Sequence, residues 1–390
     1  MLFDPLFWTR AALIFICLVW LKRSLWVSRF NVTHPPLEPA REAPSQGEKV
    51  SVIIPARNEE KNIANCLVHL FKQNYPSYEI IVVDDRSTDK TSHLLENFQK
   101  LSTVPLRIVR IEKLPPGWTG KNHGMFAASK VAEGEWLLYT DADTTHRPES
   151  ISTAMREVKK NNIDFLTLAP ETESHSFWEK TVQPLAVGSL ALWFHPAQAK
   201  GHHNEIVLAN GQFILIRKDA YEKIGGNESI KNEVVEDVEL AKKAKKAGYR
   251  VEFWNGTKLY STRMYSSLRE IRMGWTRIFT YLFNKNVPSI AHKIFLFLFF
   301  SLFPFVALAW ELVLRTQNPA AVPAELFYLT LITCGWIILV RFIGNKMVKS
   351  NPWYAFLHPV GSVIMVWILL ACVGRILFNR PSVWRGDLHQ

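Results

Sequence analysis

Short β-branched runs, each breaking into a polar and mostly acidic segment, constrain the first 150 positions more than any other feature. Val50 to Pro55 breaks into Ala56-Arg57-Asn58-Glu59-Glu60, and Glu79 to Val83 ends in Asp84-Asp85-Arg86-Ser87-Thr88-Asp89. Leu106 to Ile111 leads into a loop, and Trp136 to Thr140 ends in Asp141-Ala142-Asp143. Runs of this length and composition read as buried strands. Between them, Asn62 to Asn74 has apolar Ile63, Leu67, Leu70 and Phe71 at helical spacing; further helical stretches run to Phe98 and from about Gly124 to Val131. Strands alternating with helices imply a parallel sheet with right-handed crossovers. The acidic groups then collect at one sheet edge, where α/β folds bind ligands.

Asp141 and Asp143 are one residue apart at the mouth of a strand, and two such carboxylates can share a hard divalent cation through oxygen. An Asp-x-Asp alone is also an ordinary loop sequence, so the neighbouring motifs carry the reading. Val-Ile-Ile-Pro-Ala-Arg-Asn-Glu, Ile-Val-Val-Asp-Asp-Arg-Ser-Thr-Asp, Thr-Asp-Ala-Asp and Val-Glu-Asp-Val-Glu-Leu occur in that order. In this order they resemble a family 2 glycosyltransferase of GT-A fold, over roughly residues 49 to 265. Leu114-Pro115-Pro116-Gly117-Trp118-Thr119-Gly120-Lys121-Asn122 resembles the membrane-bound branch that includes hopanoid-associated and carotenoid glycosyltransferases.

The resemblance assigns roles that the chemistry of the residues allows. Asp84 and Asp85 match the acidic pair that contacts the uracil and ribose of the donor; a carboxylate accepts from a base N–H or a sugar hydroxyl. A cap for the following helix is the competing role, and one Asp can serve each. Ala56, Arg57 and Glu59 match the first nucleotide loop, with Glu59 also readable as a helix-start charge. Asp141 and Asp143 match the metal motif, Asp143 as the direct ligand, for Mn2+ or Mg2+ acting as Lewis acid and template on the donor diphosphate. Lys121, in the loop Gly117 to Gly124, is a point charge for a phosphate or one more solvated lysine. In Glu236-Asp237 the resemblance makes Asp237 the general base for an acceptor hydroxyl. Glu233, Glu236 and Glu239 are expected to raise its pKa. An acidic helix start, favourable to the helix dipole, fits the same residues. Gly211 and Gln212 match the acceptor side of the sugar pocket. His202, His203 and Glu205 lack ligand spacing for zinc and read as a loop.

The remainder of the chain is apolar. Ile294 to Leu314 and Leu326 to Val340, extended by Phe342 to Gly344, are long enough to span a bilayer. Trp353 to Phe378 is a third candidate, either spanning or re-entrant because of His358, Pro359 and Gly361. Leu6 to Leu21 reads as a retained membrane helix, followed by Lys22 and Arg23. Lys22, Arg23 and Arg29 place the catalytic domain in the cytosol, and Arg341, Lys346 and Lys349 favour a cytosolic turn. Three full spans would leave Arg375, Arg380 and Arg385 outside, against that rule. In Ser267 to Asn286, Ile271, Trp275, Ile278, Phe279, Leu282 and Phe283 form one helical stripe beside Arg269, Arg272 and Arg277. The stripe suits the lipid interface or an ordinary core contact. Processive synthases of the family carry Gln-x-x-Arg-Trp here; Gly274-Trp275-Thr276-Arg277 departs from it and speaks against polymerisation.

The expected organisation is therefore a membrane helix (1–25), a Pro-rich linker (26–48), an α/β GT-A domain (49–265), an amphipathic interfacial helix (266–289) and α-helical transmembrane segments (290–390). Net charge of +11 requires only anionic lipid and phosphate ligands, with no nucleic-acid module present. The four cysteines show no C-x-x-C spacing and fit a reduced cytosolic domain. The expected activity is inverting transfer from a nucleotide-sugar, a UDP-sugar, to a lipid hydroxyl. Transfer to a polyprenyl phosphate is the chemical alternative, and a non-catalytic membrane-tethered nucleotide-sugar binder the alternative of another class. Too few membrane segments and no internal charged pathway argue against a transporter.

Overall fold

The structure is a computed structural model that describes residues 5–194, 207–380, 382–384 and 387–389. His202, His203 and Glu205 lie outside the described residues. The chain opens with helix α1 (Pro5–Thr33), then β1 (Val50–Ala56), α2 (Ile63–Leu70), β2 (Tyr78–Asp85), α3 (Thr91–Leu101), β3 (Leu106–Ile111), α4 (Gly120–Val131) and β4 (Trp136–Tyr139). There follow β5 (Thr144–His146), α5 (Ser150–Asn161), β6 (Phe165–Ala169), β7 (Glu171–Thr172), α6 (Phe177–Trp193), β8 (Ile214–Arg217) and α7 (Lys218–Lys223). After these come α8 (Glu236–Lys246), β9 (Val251–Asn255), β10 (Tyr260–Thr262), α9 (Leu268–Leu282), α10 (Val287–Phe297) and α11 (Phe303–Gln317). The chain closes with α12 (Ala324–Met347), α13 (His358–Leu377) and the hairpin β11 (Ser382–Trp384) and β12 (Asp387–His389).

Two compact units divide the chain. The first comprises Pro35–Glu173, Trp193–Met264 and Pro381–Gln390. It is built on a seven-stranded sheet of order β3-β2-β1-β4-β8-β6-β9. β1 runs parallel to β2 and β4, and β9 parallel to β6. β8 runs antiparallel to both β4 and β6, which makes the sheet mostly rather than wholly parallel. Both faces of the central strands are covered. Val52, Ile54, Ile80 and Val82 belong to one core, and Ile53, Ile81 and Val83 to the other. Burial on both faces is the physical reason these strands read as continuous apolar runs instead of alternating ones.

Two features of this unit differ from the sequence expectation. The segment expected as a linker is strapped to the domain. Leu37 N–H donates to the Asn255 carbonyl at 2.8 Å, and Ala40 N–H to Thr153 Oγ1 at 2.9 Å. The GT-A region is also not one continuous block, because Ser174–Leu192, which contains most of α6, belongs to the second unit. That helix is apolar along most of its length and its sequence carries no motif to mark the change.

The second unit comprises Met1–His34, Ser174–Leu192 and Tyr265–Arg380. Among the described residues, three helical segments are long and apolar enough to cross a membrane: Val287–Gln317, Ala324–Met347 and Pro352–Leu377. α1 is not among them. It extends to Thr33 rather than ending near residue 25, with Arg10, Lys22 and Arg23 along it, and it packs on α12. Its Leu13 and Ile16 are fully buried, and Trp20 Nε1 donates to the Phe300 carbonyl at 2.8 Å. The segment left open between spanning and re-entrant is a short 3₁₀ turn followed by the uninterrupted α13, and together they are long and apolar enough to span. Pro359 sits in the first turn of α13, where its missing N–H costs no helical hydrogen bond. The stripe expected on lipid is a packing face. Ile271, Trp275 and Phe279 on α9 are buried, α9 packs on α13, and Trp275 Nε1 donates to Gln183 Oε1 at 2.7 Å.

Candidate active site

The register of β1 against β2 pairs Ala56 with Asp84, so the loops leaving both strands start at the same level. Those loops interlock. Asn58 N–H donates to Ser87 Oγ at 3.1 Å, Thr88 N–H to Asn58 Oδ1 at 2.8 Å, and Glu59 N–H to Thr91 Oγ1 at 2.8 Å. The two adjacent acids take different jobs. Asp84 braces its own loop by accepting from Ser87 N–H and the Ser92 hydroxyl. Asp85 accepts both nitrogens of a forked Arg86 guanidinium at 2.7 and 3.1 Å, and Arg57 Nη1 lies 3.8 Å away. Arg86, which makes this fork with its own neighbour, has a backbone φ of 55°. Glu59 is buried and accepts from Asn62 Nδ2 at 2.8 Å, as a helix-start residue does.

β4 delivers Asp141 and Asp143 to the same edge. Lys121 joins Asp141 to the Glu236-Asp237 pair, with Nζ 2.8 Å from Asp141 Oδ1 and 2.7 Å from Glu236 Oε1. Lys121 keeps 32% of its side-chain surface and Asp141 29%, so both stay within reach of an incoming ligand. Burial works against the Lys121 ammonium, but the pairs with Asp141 and Glu236 outweigh it and raise its pKa above the ordinary value.

Asp237 lies in the first turn of α8, whose opening turn is acidic and whose last turn is basic, the favourable sense for the helix dipole. Its Oδ2 accepts Gly211 N–H at 2.8 Å and its Oδ1 accepts Val238 N–H at 2.8 Å. Burial first, then Glu236, pushes its carboxyl up to about 7, against Lys121 and the two N–H donors. Burial, not the expected trio of glutamates, is thus the main cause. Gly211 is needed for close approach: a Cβ there would lie 3.1 Å from Lys121 Nζ and 3.2 Å from Glu236 Oε1. Gln212 turns the other way, its Nε2 donating to Thr262 Oγ1 at 2.9 Å.

Asp143 is also pushed up to about 7, by burial and then by Asp141, with Lys121 opposing. Its Oδ1 is buried without a hydrogen-bond partner. An orphaned carboxylate oxygen beside a second carboxylate fits a cation ligand. Among the described residues no three His, Cys, Asp or Glu side chains gather as a cage. A cation here would therefore take Asp141 and Asp143 from the protein and its other oxygens from ligand and water.

Two residues escaped the sequence reading. Fully buried Asn122 donates through Nδ2 to the carbonyls of Ile230 and Glu233, each at 2.9 Å, and accepts from Asn227 Nδ2 at 2.8 Å. It ties the start of α4, which carries Lys121, to the segment that delivers Glu236 and Asp237. His123 lies against Trp118, with ring centroids 5.3 Å apart, and near enough to Asp85 and Arg86 for their charges to act on it. Burial leads in lowering its pKa. The only signal for either was adjacency to Lys121.

Residues 51–225 match the model of glycosyl transferase family 2. The chain is 26% identical over 317 residues to 4,4'-diaponeurosporenoate glycosyltransferase of Staphylococcus aureus, covering 78% of this chain and 80% of that one. It is 25% identical over 250 residues to glycosyltransferase GlyG of Streptococcus pneumoniae serotype 4, covering 62% and 80% respectively. Among solved structures, mannosyltransferase PcManGT from Pyrobaculum calidifontis, in complex with GDP-Man and Mn2+, superposes with a TM-score of 0.55. That match has 17% identity and covers 95% of this chain and 99% of that one, a likeness of fold. With the motifs in order on a mostly parallel sheet, residues 51–225 form a domain that matches glycosyl transferase family 2.

Proposed function

We propose that this protein is a membrane-bound inverting glycosyltransferase that moves a sugar from a nucleotide-sugar to the hydroxyl of a lipid. The observation that carries this reading is the Asp237 carboxyl, held by two backbone N–H groups beside the Lys121–Asp141 pair. It has a pKa suited to taking a proton near neutral pH. Attack of an acceptor hydroxyl on the anomeric carbon requires loss of its proton, and Asp237 Oδ2 is the atom assigned to receive it. Glu236 helps to keep that carboxyl basic, and Lys121 is a ready positive charge for the donor diphosphate. Asp85, with Arg57 and Arg86 around it, is assigned to the nucleoside. Asp84 serves the loop that holds it.

Asp141 and Asp143 are the residues that would hold Mn2+ or Mg2+; when bound, the cation neutralises charge on the departing diphosphate. The PcManGT complex with GDP-Man and Mn2+ supports a divalent cation and keeps guanine donors beside uridine donors as candidates. The three apolar segments support an acceptor that arrives from the bilayer. The positive residues Lys22 and Arg23 support a cytosolic catalytic unit, where nucleotide-sugars are made.

The test is nucleoside diphosphate release by purified full-length protein from a panel of nucleotide-sugars, with Mn2+ or Mg2+ and a lipid extract of the host. Release from one donor that needs both metal and lipid is expected. Release that is indifferent to lipid would remove the lipid acceptor, and release indifferent to chelation would remove the cation.

A further inference from the structure

Helices α12 and α13 bury polar groups that no described residue satisfies. Arg341 is 7% exposed, His358 1% and Ser362 0%. Arg341 Nε, both ring nitrogens of His358 and Ser362 Oγ lack any hydrogen-bond partner. The Arg341 guanidinium donates from Nη2 to the Thr181 carbonyl at 3.1 Å. His358, Gly361 and Ser362 lie one turn apart on one face of α13. A Cβ at Gly361 would lie 2.8 Å from that same Thr181 carbonyl, which links the face to Arg341. Trp20 packs edge-on to His358 with centroids 5.7 Å apart, and the Arg23 guanidinium covers Trp20 at 4.9 Å. The charges of Arg23 and Arg341 both bear on His358. No carboxylate among the described residues is paired with either guanidinium.

A buried guanidinium without an anion is costly, and burying hydrogen-bonding groups without partners adds to that cost. We propose that Arg341, His358 and Ser362, with Arg23 beside them, form a binding site for the oxyanion of an anionic lipid headgroup. An oxyanion supplies what the cluster lacks: negative charge for two guanidiniums and acceptors for the Arg341 N–H, one His358 N–H and the Ser362 hydroxyl. A lipid is the favoured source over a free anion because the walls are apolar. Trp20, Phe300 and Phe305 surround the cluster, and Arg341, His358 and Ser362 lie on helical segments long enough to cross a bilayer. A headgroup entering there keeps its chains along the helices, whereas a diffusible phosphate must give up water with no such return.

The test uses full-length protein, delipidated in detergent, and reads the rise in melting temperature with added lipid. Phosphatidylglycerol is expected to raise it more than phosphatidylcholine or inorganic phosphate. Arg341→Gln and Ser362→Ala are expected to lose most of that rise, while Lys22→Gln, an exposed charge on the same helix as Arg23, keeps it. Ser362→Ala guards against a folding artefact. It deletes a hydroxyl that has no partner among the described residues, so melting without lipid is expected to hold while the lipid response falls. Equal responses to the two lipids would overturn the site, as would a full response in Ser362→Ala. Inorganic phosphate reproducing the whole rise would overturn the lipid as its source.

Discussion

Replacing Lys121 by methionine removes the positive charge that opposes the rise in the Asp237 pKa, at nearly constant side-chain length. Lys121 Nζ and Asp237 Oδ2 lie 3.1 and 3.5 Å from the same point over Gly211, so they are no more than about 7 Å apart. At an effective dielectric of about 20, unit charges at that distance interact by roughly 2 kcal/mol. That corresponds to roughly one to two pH units. The sign follows from the base role. Asp237 must be ionised to accept a proton, its carboxyl starts at about 7, and loss of Lys121 raises it further. The acidic limb of kcat/KM against pH is therefore expected to move to higher pH, with activity recovered above the new pKa. Weaker diphosphate binding lowers the whole profile without moving the limb, so the two effects separate. The assay is nucleoside diphosphate release across pH 5 to 10. A limb that stays in place or moves to lower pH would refute both the electrostatics and the assignment of Asp237.

Asp237→Asn is expected to leave donor binding intact by calorimetry and to lower turnover by about 10²- to 10⁴-fold, the usual worth of a general base; full turnover would end that role. Asp143→Ala is expected to abolish metal-dependent donor binding, which titration with and without Mn2+ reads directly. Asp143→Asn carries a second expectation. The native carboxyl is held at about 7, far above its unfolded value, so stability is lost as pH rises from about 4, where the unfolded carboxyl ionises, through about 7, where the native one does. The amide is expected to melt higher than wild type at pH 8 and equally at pH 3; a lower melting temperature at pH 8 would contradict the burial argument. Asn122→Ala strands a buried Asn227 donor and two carbonyls, for a loss of about 1–3 kcal/mol on denaturation. Its turnover is expected to fall and its KM for donor to rise, since the clamp ties Lys121 to the segment carrying Glu236 and Asp237.

Local sequence was enough for the elements that repeat a local rule. Val50–Ala56 and Tyr78–Asp85 are β-branched runs bounded by polar loops, and burial on both faces keeps them apolar whatever lies around them. The acids at their ends follow from the same rule, because a parallel sheet aligns all strand mouths on one edge. The antiparallel course of β8 was not legible, since Ile214–Arg217 has the same composition in either direction. Nor was the transfer of α6 to the membrane unit. The stripe on α9 shows the limit of periodicity: it specifies that one face is buried, and lipid and protein satisfy that demand equally.

What the sequence by itself determined is the kind of chemistry present: carboxylates at strand ends, a lysine among glycines, and segments long enough to enter a bilayer. Tertiary structure alone decided how those groups are paired. Lys121, Asp141 and Glu236 are separated by up to 115 positions yet share one ammonium, and Asp237 takes one hydrogen bond from its neighbour Val238 and the other from Gly211, 26 positions earlier. Asn122 and Arg341 carry the same lesson. One is fully satisfied and the other nearly bare, and neither outcome is written in its neighbours along the chain. The reason is physical: propensity and periodicity act over a few residues, whereas desolvation and charge pairing depend on what the fold brings within a few ångströms.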